Sequence, residues 1–132
     1  MNVMRKEIFD SSKFIKLTPE FFKRDEIILI SSAPEGDIYI RLYLHLLTLA
    51  VRCNGYIYST GALVSCPTKT FDSFIEELAC ICRVNSEIIN KAFDLYGKLA
   101  LVECGDPNMD VCDTKEPYVY FLDAVDPEFM GE

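Results

Sequence analysis

Few residues in this chain have the type and spacing that covalent or metal chemistry requires. The single histidine, His45, stands four residues after Arg41 and seven before Arg52, which places it on one polar helical stripe. General acid–base work needs a partnered base. No Ser or Cys is spaced to partner His45, so it reads as a surface residue with a structural role. Six cysteines lie at 53, 66, 80, 82, 104 and 112. Zinc sites draw ligands from C-x2-4-C pairs, and the nearest pair here, Cys80 and Cys82, is spaced more closely, on a predicted helix. Met1 to Asp10 lacks the apolar stretch of a secretory leader. The cysteines therefore read as reduced, buried thiols rather than disulfides or metal ligands. Asp106, Asp110, Asp113 and Glu116 gather carboxylates, but without the D-x-D-x-D-G order of a calcium loop. No glycine-rich phosphate loop and no metalloprotease helix is present. The expectation is a protein that is not an enzyme and uses neither cofactor nor metal.

What remains is the chemistry of charged surfaces. The net charge is −8, and its position matters more than its size. Residues 1–102 hold 12 basic and 12 acidic side chains, whereas 103–132 hold nine acids against Lys115 alone. The first 24 residues lean the other way, with six basic against three acidic. Such polarity steers the choice of partner rather than the fold.

These side chains must be carried by elements that the apolar pattern defines. Half of the 132 residues are hydrophobic, enough for one domain with its own core. Lys13 to Leu17 reads as a strand, Thr18-Pro19-Glu20 as a turn or helix start, and Asp25 to Ser32 as a short helix broken by Ala33-Pro34-Glu35-Gly36. Asp37 is expected to cap a helix over roughly 38–53 that is apolar almost all round. Only Arg41, His45, Thr48 and Arg52 break its surface, at a spacing that makes one narrow stripe. This helix is too short and too charged to span a membrane, which takes about 20 apolar residues. Asn54-Gly55 ends it, and Tyr56-Ile57-Tyr58 can form a short strand. A helix from Pro67 to about Cys82 and another capped by Asn85 follow. Leu101 to Cys104 and Tyr118 to Val125 read as a closing hairpin across an acidic loop. The pattern is α+β: a mostly helical winged helix-turn-helix domain with a C-terminal β-hairpin wing. The expected divisions are an N-terminal arm over 1–12, the domain over 13–125 and an acidic tail over 126–132.

Several segments in this order resemble one family. Lys13-Phe14-Ile15-Lys16-Leu17 with Glu20-Phe21-Phe22, Pro34-Glu35-Gly36-Asp37, Asn54-Gly55-Tyr56-Ile57-Tyr58 and Phe93 through Cys104 are together similar to the N-terminal domain of phage replisome organisers. The resemblance covers roughly 13–125. It implies a winged-helix protein that helps start phage or plasmid replication by binding duplex DNA and host or phage replication proteins, in the host cytoplasm. In a winged helix the second helix of the pair enters the major groove. Ser86 and Asn90 could then reach base edges, with Lys91 and Lys98 beside them. That helix face is neutral, however, and phosphate contacts need basic donors. Lys13, Lys16, Lys23 and Arg24 supply them, so the N-terminal side is expected to matter if DNA binds. The alternative is an acidic phage-type inhibitor, an anti-CRISPR for example. It would use Asp106, Asp110, Asp113 and Glu116 to occupy the nucleic-acid groove of a host enzyme. A homodimer within a replication complex is a third possibility.

Overall fold

The computed structural model describes residues 12–58, 71–105 and 117–131. In chain order its elements are β1 (Phe14–Ile15), α1 (Pro19–Phe22), α2 (Asp25–Ser32), α3 (Gly36–Ala50) and a 3-10 turn (Val51–Cys53). Then come β2 (Tyr56–Tyr58), α4 (Phe71–Cys82), α5 (Ser86–Lys98), β3 (Val102–Gly105), β4 (Tyr118–Phe121), a second 3-10 turn (Leu122–Val125) and β5 (Met130–Gly131). The fold is α+β and mostly helical, and the chain divides into two compact units, 1–56 with 121–132 and 57–120.

The first unit is organised by α3. Tyr39, Leu42, Tyr43, Leu46, Leu47 and Ala50 are buried along it, while Arg41, His45 and Thr48 are exposed, as is Arg52 just beyond. This is the stripe that the spacing predicts. Burying each large apolar side chain fully contributes about 1.5–3 kcal/mol, so the helix is held by packing rather than by its caps. Its start differs from expectation. Asp37 lies within the first turn, and the residue ahead of the helix is Glu35, in the left-handed region at φ 62° with no side-chain cap. The reason is steric. Gly36 packs so closely on the end of α2 that a Cβ there would lie 2.4 Å from the Ser31 carbonyl oxygen and 2.6 Å from that of Ile30. The chain turns at Glu35 to bring a glycine into that place, and the cap is forgone. At the other end Asn54, at φ 54°, lets the Gly55 N–H reach back to the Ala50 carbonyl at 2.8 Å.

The C-terminal residues also depart from expectation. Tyr118 to Val125 is not one strand: it bends into a 3-10 turn at Leu122, which carries Asp123 and Ala124 inward. Residues 126–131, expected as a tail, fold into the first unit. Phe129 is 4% exposed, and β5 pairs antiparallel with β1, Phe14 opposite Gly131 and Ile15 opposite Met130.

The second unit contains the helix pair. Phe74, Ile75, Leu78 and Ala79 of α4 are buried, as are Ile89, Ala92, Phe93 and Tyr96 of α5 at i, i+3, i+4 and i+7. Arg83 turns the chain between them at φ 59°. Asn85 caps α5 as its sequence position predicts, its Oδ1 accepting the Ile88 N–H at 2.9 Å. Ala100, at φ 58°, closes α5, and the Leu101 N–H donates to the Tyr96 carbonyl at 2.9 Å. The strand order of the sheet is β2-β4-β3. Tyr118 on β4 lays its ring over Gly105 on β3, where any Cβ would overlap it.

Candidate nucleic-acid interface

The predicted site residues fall in both units, and the structure treats their charges differently. In the second unit Ser86 is the first residue of α5 and Asn90 is exposed one turn further on. Lys91 and Lys98 are exposed, each beside a carboxylate one turn earlier: Lys91 Nζ lies 3.3 Å from Glu87 Oε1 and Lys98 Nζ lies 3.0 Å from Asp94 Oδ2. Exposed pairs of this kind contribute about 0.3–0.5 kcal/mol. Their larger effect here is to cancel the field of the helix face.

In the first unit the lysines meet neutral oxygens. Lys13 Nζ donates to Asn54 Oδ1 at 3.0 Å, which places it where β1 packs beside the turn carrying the exposed Arg52. Lys16 Nζ donates to the Pro127 carbonyl at 3.2 Å, and the Lys16 N–H donates to the Phe129 carbonyl at 2.6 Å. Lys23 is exposed just after α1. Neither an amide nor a carbonyl oxygen neutralises an ammonium, so these charges keep their field.

Arg24 is different. Its Nη1 donates to Asp123 Oδ2 at 2.7 Å and its Nη2 to Glu26 Oε2 at 2.9 Å. The guanidinium also lies over the rings of Phe129 and Phe21, 4.9 and 5.7 Å from their centroids. The Tyr43 hydroxyl, fully buried on α3, donates to the same Asp123 oxygen at 2.5 Å. Burial works against the Arg24 charge, but the hydrogen bonds and attraction of Asp123 and then Glu26 outweigh it, so its pKa is raised. Glu26 is held below its ordinary value chiefly by its own backbone N–H, with desolvation opposing the shift and Arg24 adding to it. Arg24 is thus committed to an internal clasp that joins the start of α2, the middle of α3 and the second 3-10 turn. It has little left to offer a phosphate.

The clasp is the part of the site that spacing does not reveal, since its partners lie 99 and 80 residues apart in sequence. One signal existed: Asp123 is a lone carboxylate inside the apolar run YVYFLDAV, where an unpaired charge would be costly to bury. The acidic residues Asp106, Asp110, Asp113 and Glu116 lie outside the described residues. Cys80, Cys82 and Cys104 are free thiols, and Cys80 and Cys104 are exposed where buried thiols were expected. Among the described residues no His, Cys, Asp and Glu cluster could hold a metal, and no helix is long and apolar enough to cross a membrane.

The model of one protein family, the N-terminal phage replisome organiser, matches residues 14–119, well over half of the chain. No curated protein and no solved structure matches. The family match supports the replication reading of the sequence and lends nothing to the inhibitor alternative.

Proposed function

We propose that this chain, which belongs to the N-terminal phage replisome organiser family, acts in phage DNA replication by binding DNA through the lysines of its first unit. The observation that carries this reading is the contrast in charge. Lys13 and Lys16 end on neutral oxygens and Lys23 is exposed, whereas Lys91 and Lys98 each stand beside a carboxylate. Phosphate contacts supply most of the affinity for DNA, and each requires a donor whose charge is still available. The order α4, α5, β3, β4 within the second unit supports a winged-helix arrangement there. In it Ser86 and Asn90 are the α5 residues that reach base edges.

Fluorescence anisotropy with a labelled duplex, repeated across a salt series, tests the proposal. Lys13→Ala, Lys16→Ala and Lys23→Ala should each weaken binding severalfold, whatever the duplex sequence. Each should also reduce the slope of log K against log salt by about 1. Lys98→Ala should change it less, because Asp94 already offsets that charge. Absence of binding to any duplex at low salt, or affinity indifferent to all three lysines, would overturn the reading.

A further inference from the structure

The segment that carries these lysines also exposes aromatic rings. Phe14 on β1 is 50% exposed and Phe22 at the end of α1 is 45% exposed, with Leu17 between them at 50%. In sequence they alternate with the basic residues: Lys13-Phe14, then Lys16-Leu17, then Phe22-Lys23. Single exposed apolar residues are ordinary on protein surfaces. A run in which each one adjoins a lysine is a more specific arrangement.

Both rings are braced from beneath. The Phe14 ring lies over Gly131 on the paired strand, so closely that a Cβ on Gly131 would come within 2.5 Å of it. The ring is therefore packed against backbone. Phe22 stands edge-on to the buried Phe21, centroids 5.3 Å apart, and Phe21 stands edge-on to the buried Phe129 at 5.4 Å. Phe129 in turn accepts the Lys16 N–H through its carbonyl. Phe22 and the Lys16 backbone thus hang on one aromatic framework and Phe14 is braced by Gly131, which lowers the entropy lost when a ligand settles on them.

A duplex keeps the faces of its bases inside the stack and presents phosphates and groove edges. Lysines alone would serve it. Exposed rings set among cations match a strand whose bases are unstacked: each base lays its face on an aromatic side chain while the ammonium groups follow the phosphates. We infer that the β1–α1 face is a platform for single-stranded nucleic acid, with Phe14 and Phe22 as stacking residues and Lys16 and Lys23 as phosphate donors. This deepens the reading above and rests on it, since the same lysines act in both.

The test compares full-length protein binding to a labelled 15-nucleotide oligothymidine and to a labelled duplex of mixed sequence. Base–aromatic stacking contributes on the order of 1–3 kcal/mol per base, which is about a 5- to 150-fold change. Phe14→Ala and Phe22→Ala should each weaken oligothymidine binding by roughly tenfold and alter duplex binding less than twofold. Phe14→Tyr, which keeps the ring, should restore single-strand binding, and unchanged urea midpoints should show that the fold is kept. Equal losses on single strand and duplex, or no loss on the single strand, overturn the inference. So does preferential binding of an acidic, leucine-containing peptide that displaces the oligothymidine. If duplex binding depends on Lys16 and Lys23 while both phenylalanines are neutral, the inference falls and DNA binding stands. If neither nucleic acid binds, both fall.

Discussion

Asp123→Asn probes the internal clasp with the smallest possible change of shape. Two donors converge on one carboxylate oxygen, Arg24 Nη1 at 2.7 Å and Tyr43 Oη at 2.5 Å. The carboxylate side chain is 6% exposed and the arginine 21%. Removing one partner from a fully buried ion pair costs about 3–5 kcal/mol. Two features reduce that figure here: Arg24 keeps Glu26 on its outer side, and asparagine still offers an acceptor oxygen. Hydrogen bonds to charged groups contribute about 1.5–3 kcal/mol and neutral ones about 1 kcal/mol. Asparagine makes the Tyr43 bond neutral and leaves the Arg24 bond with a charge on the donor alone, so the combined loss is about 1–4 kcal/mol. With a urea dependence of about 2 kcal/mol per molar, the unfolding midpoint should fall by about 0.5–2 M. A double-mutant cycle with Arg24→Gln should return a coupling of about 1–2 kcal/mol. A midpoint that rises or moves by less than about 0.3 M, or a coupling near zero, would refute the idea that this clasp stabilises the first unit.

Gly36→Ala should cost about 2–3 kcal/mol in urea unfolding, because its methyl would meet backbone carbonyls of Ser31 and Ile30 that cannot rotate away; a neutral effect would mean that α2 and α3 pack more loosely. Burial pushes the Cys82 thiol up to about 11, so at pH 8 its thiolate fraction is roughly two orders of magnitude below that of a free cysteine near 8.5. Iodoacetamide labelling read by mass spectrometry should modify the exposed Cys80 well before Cys82, and equal rates would contradict that burial. Because the folded state holds this proton longer than the unfolded chain, the associated stability is present below about pH 8.5 and is lost as pH rises toward about 11.

Much of the fold was legible because it follows from periodicity. The buried and exposed faces of α3, the stripe along α5 and the Asn85 cap are all local patterns, and each stands where its spacing puts it. The departures come from contacts that periodicity does not register, most of them distant in sequence. Asp37 has the right chemistry to cap α3, but the helix begins where Gly36 can approach the end of α2. Leu122 is apolar enough to continue a strand, but the chain bends because Asp123 must reach Arg24 and Tyr43. Residues 126–131 look like an acidic tail by composition, yet Phe129 outweighs its neighbours by filling the space beside Phe21. The candidate surface was legible as a surplus of lysines near the N-terminus. What the lysines touch was not, because Asn54 and Pro127 are remote from them in the chain.

The clasp and the lysine surface are also mechanically connected, and this bears on which part of the chain is needed for binding. The family match ends at residue 119, but Asp123, Pro127 and Phe129 lie beyond it. Pro127 and Phe129 hold Lys16 through two carbonyl oxygens, and Phe129 forms one wall of the pocket around the Arg24 guanidinium. Gly131 lies directly under the Phe14 ring. The segment from 121 to 131 therefore shapes the basic, aromatic face from behind although it adds acidic residues to the chain. Its carboxylates are not equivalent: Asp123 is turned inward and spent on Arg24 and Tyr43, while Glu128 is exposed. At about 0.15 M salt the screening length is about 8 Å, so a phosphate seated on Lys16 responds to the charges immediately around it rather than to the net charge of −8. The clasp thus removes Asp123 from the charges that compete for the lysines, while Glu128, next to the Pro127 that Lys16 touches, stays among them.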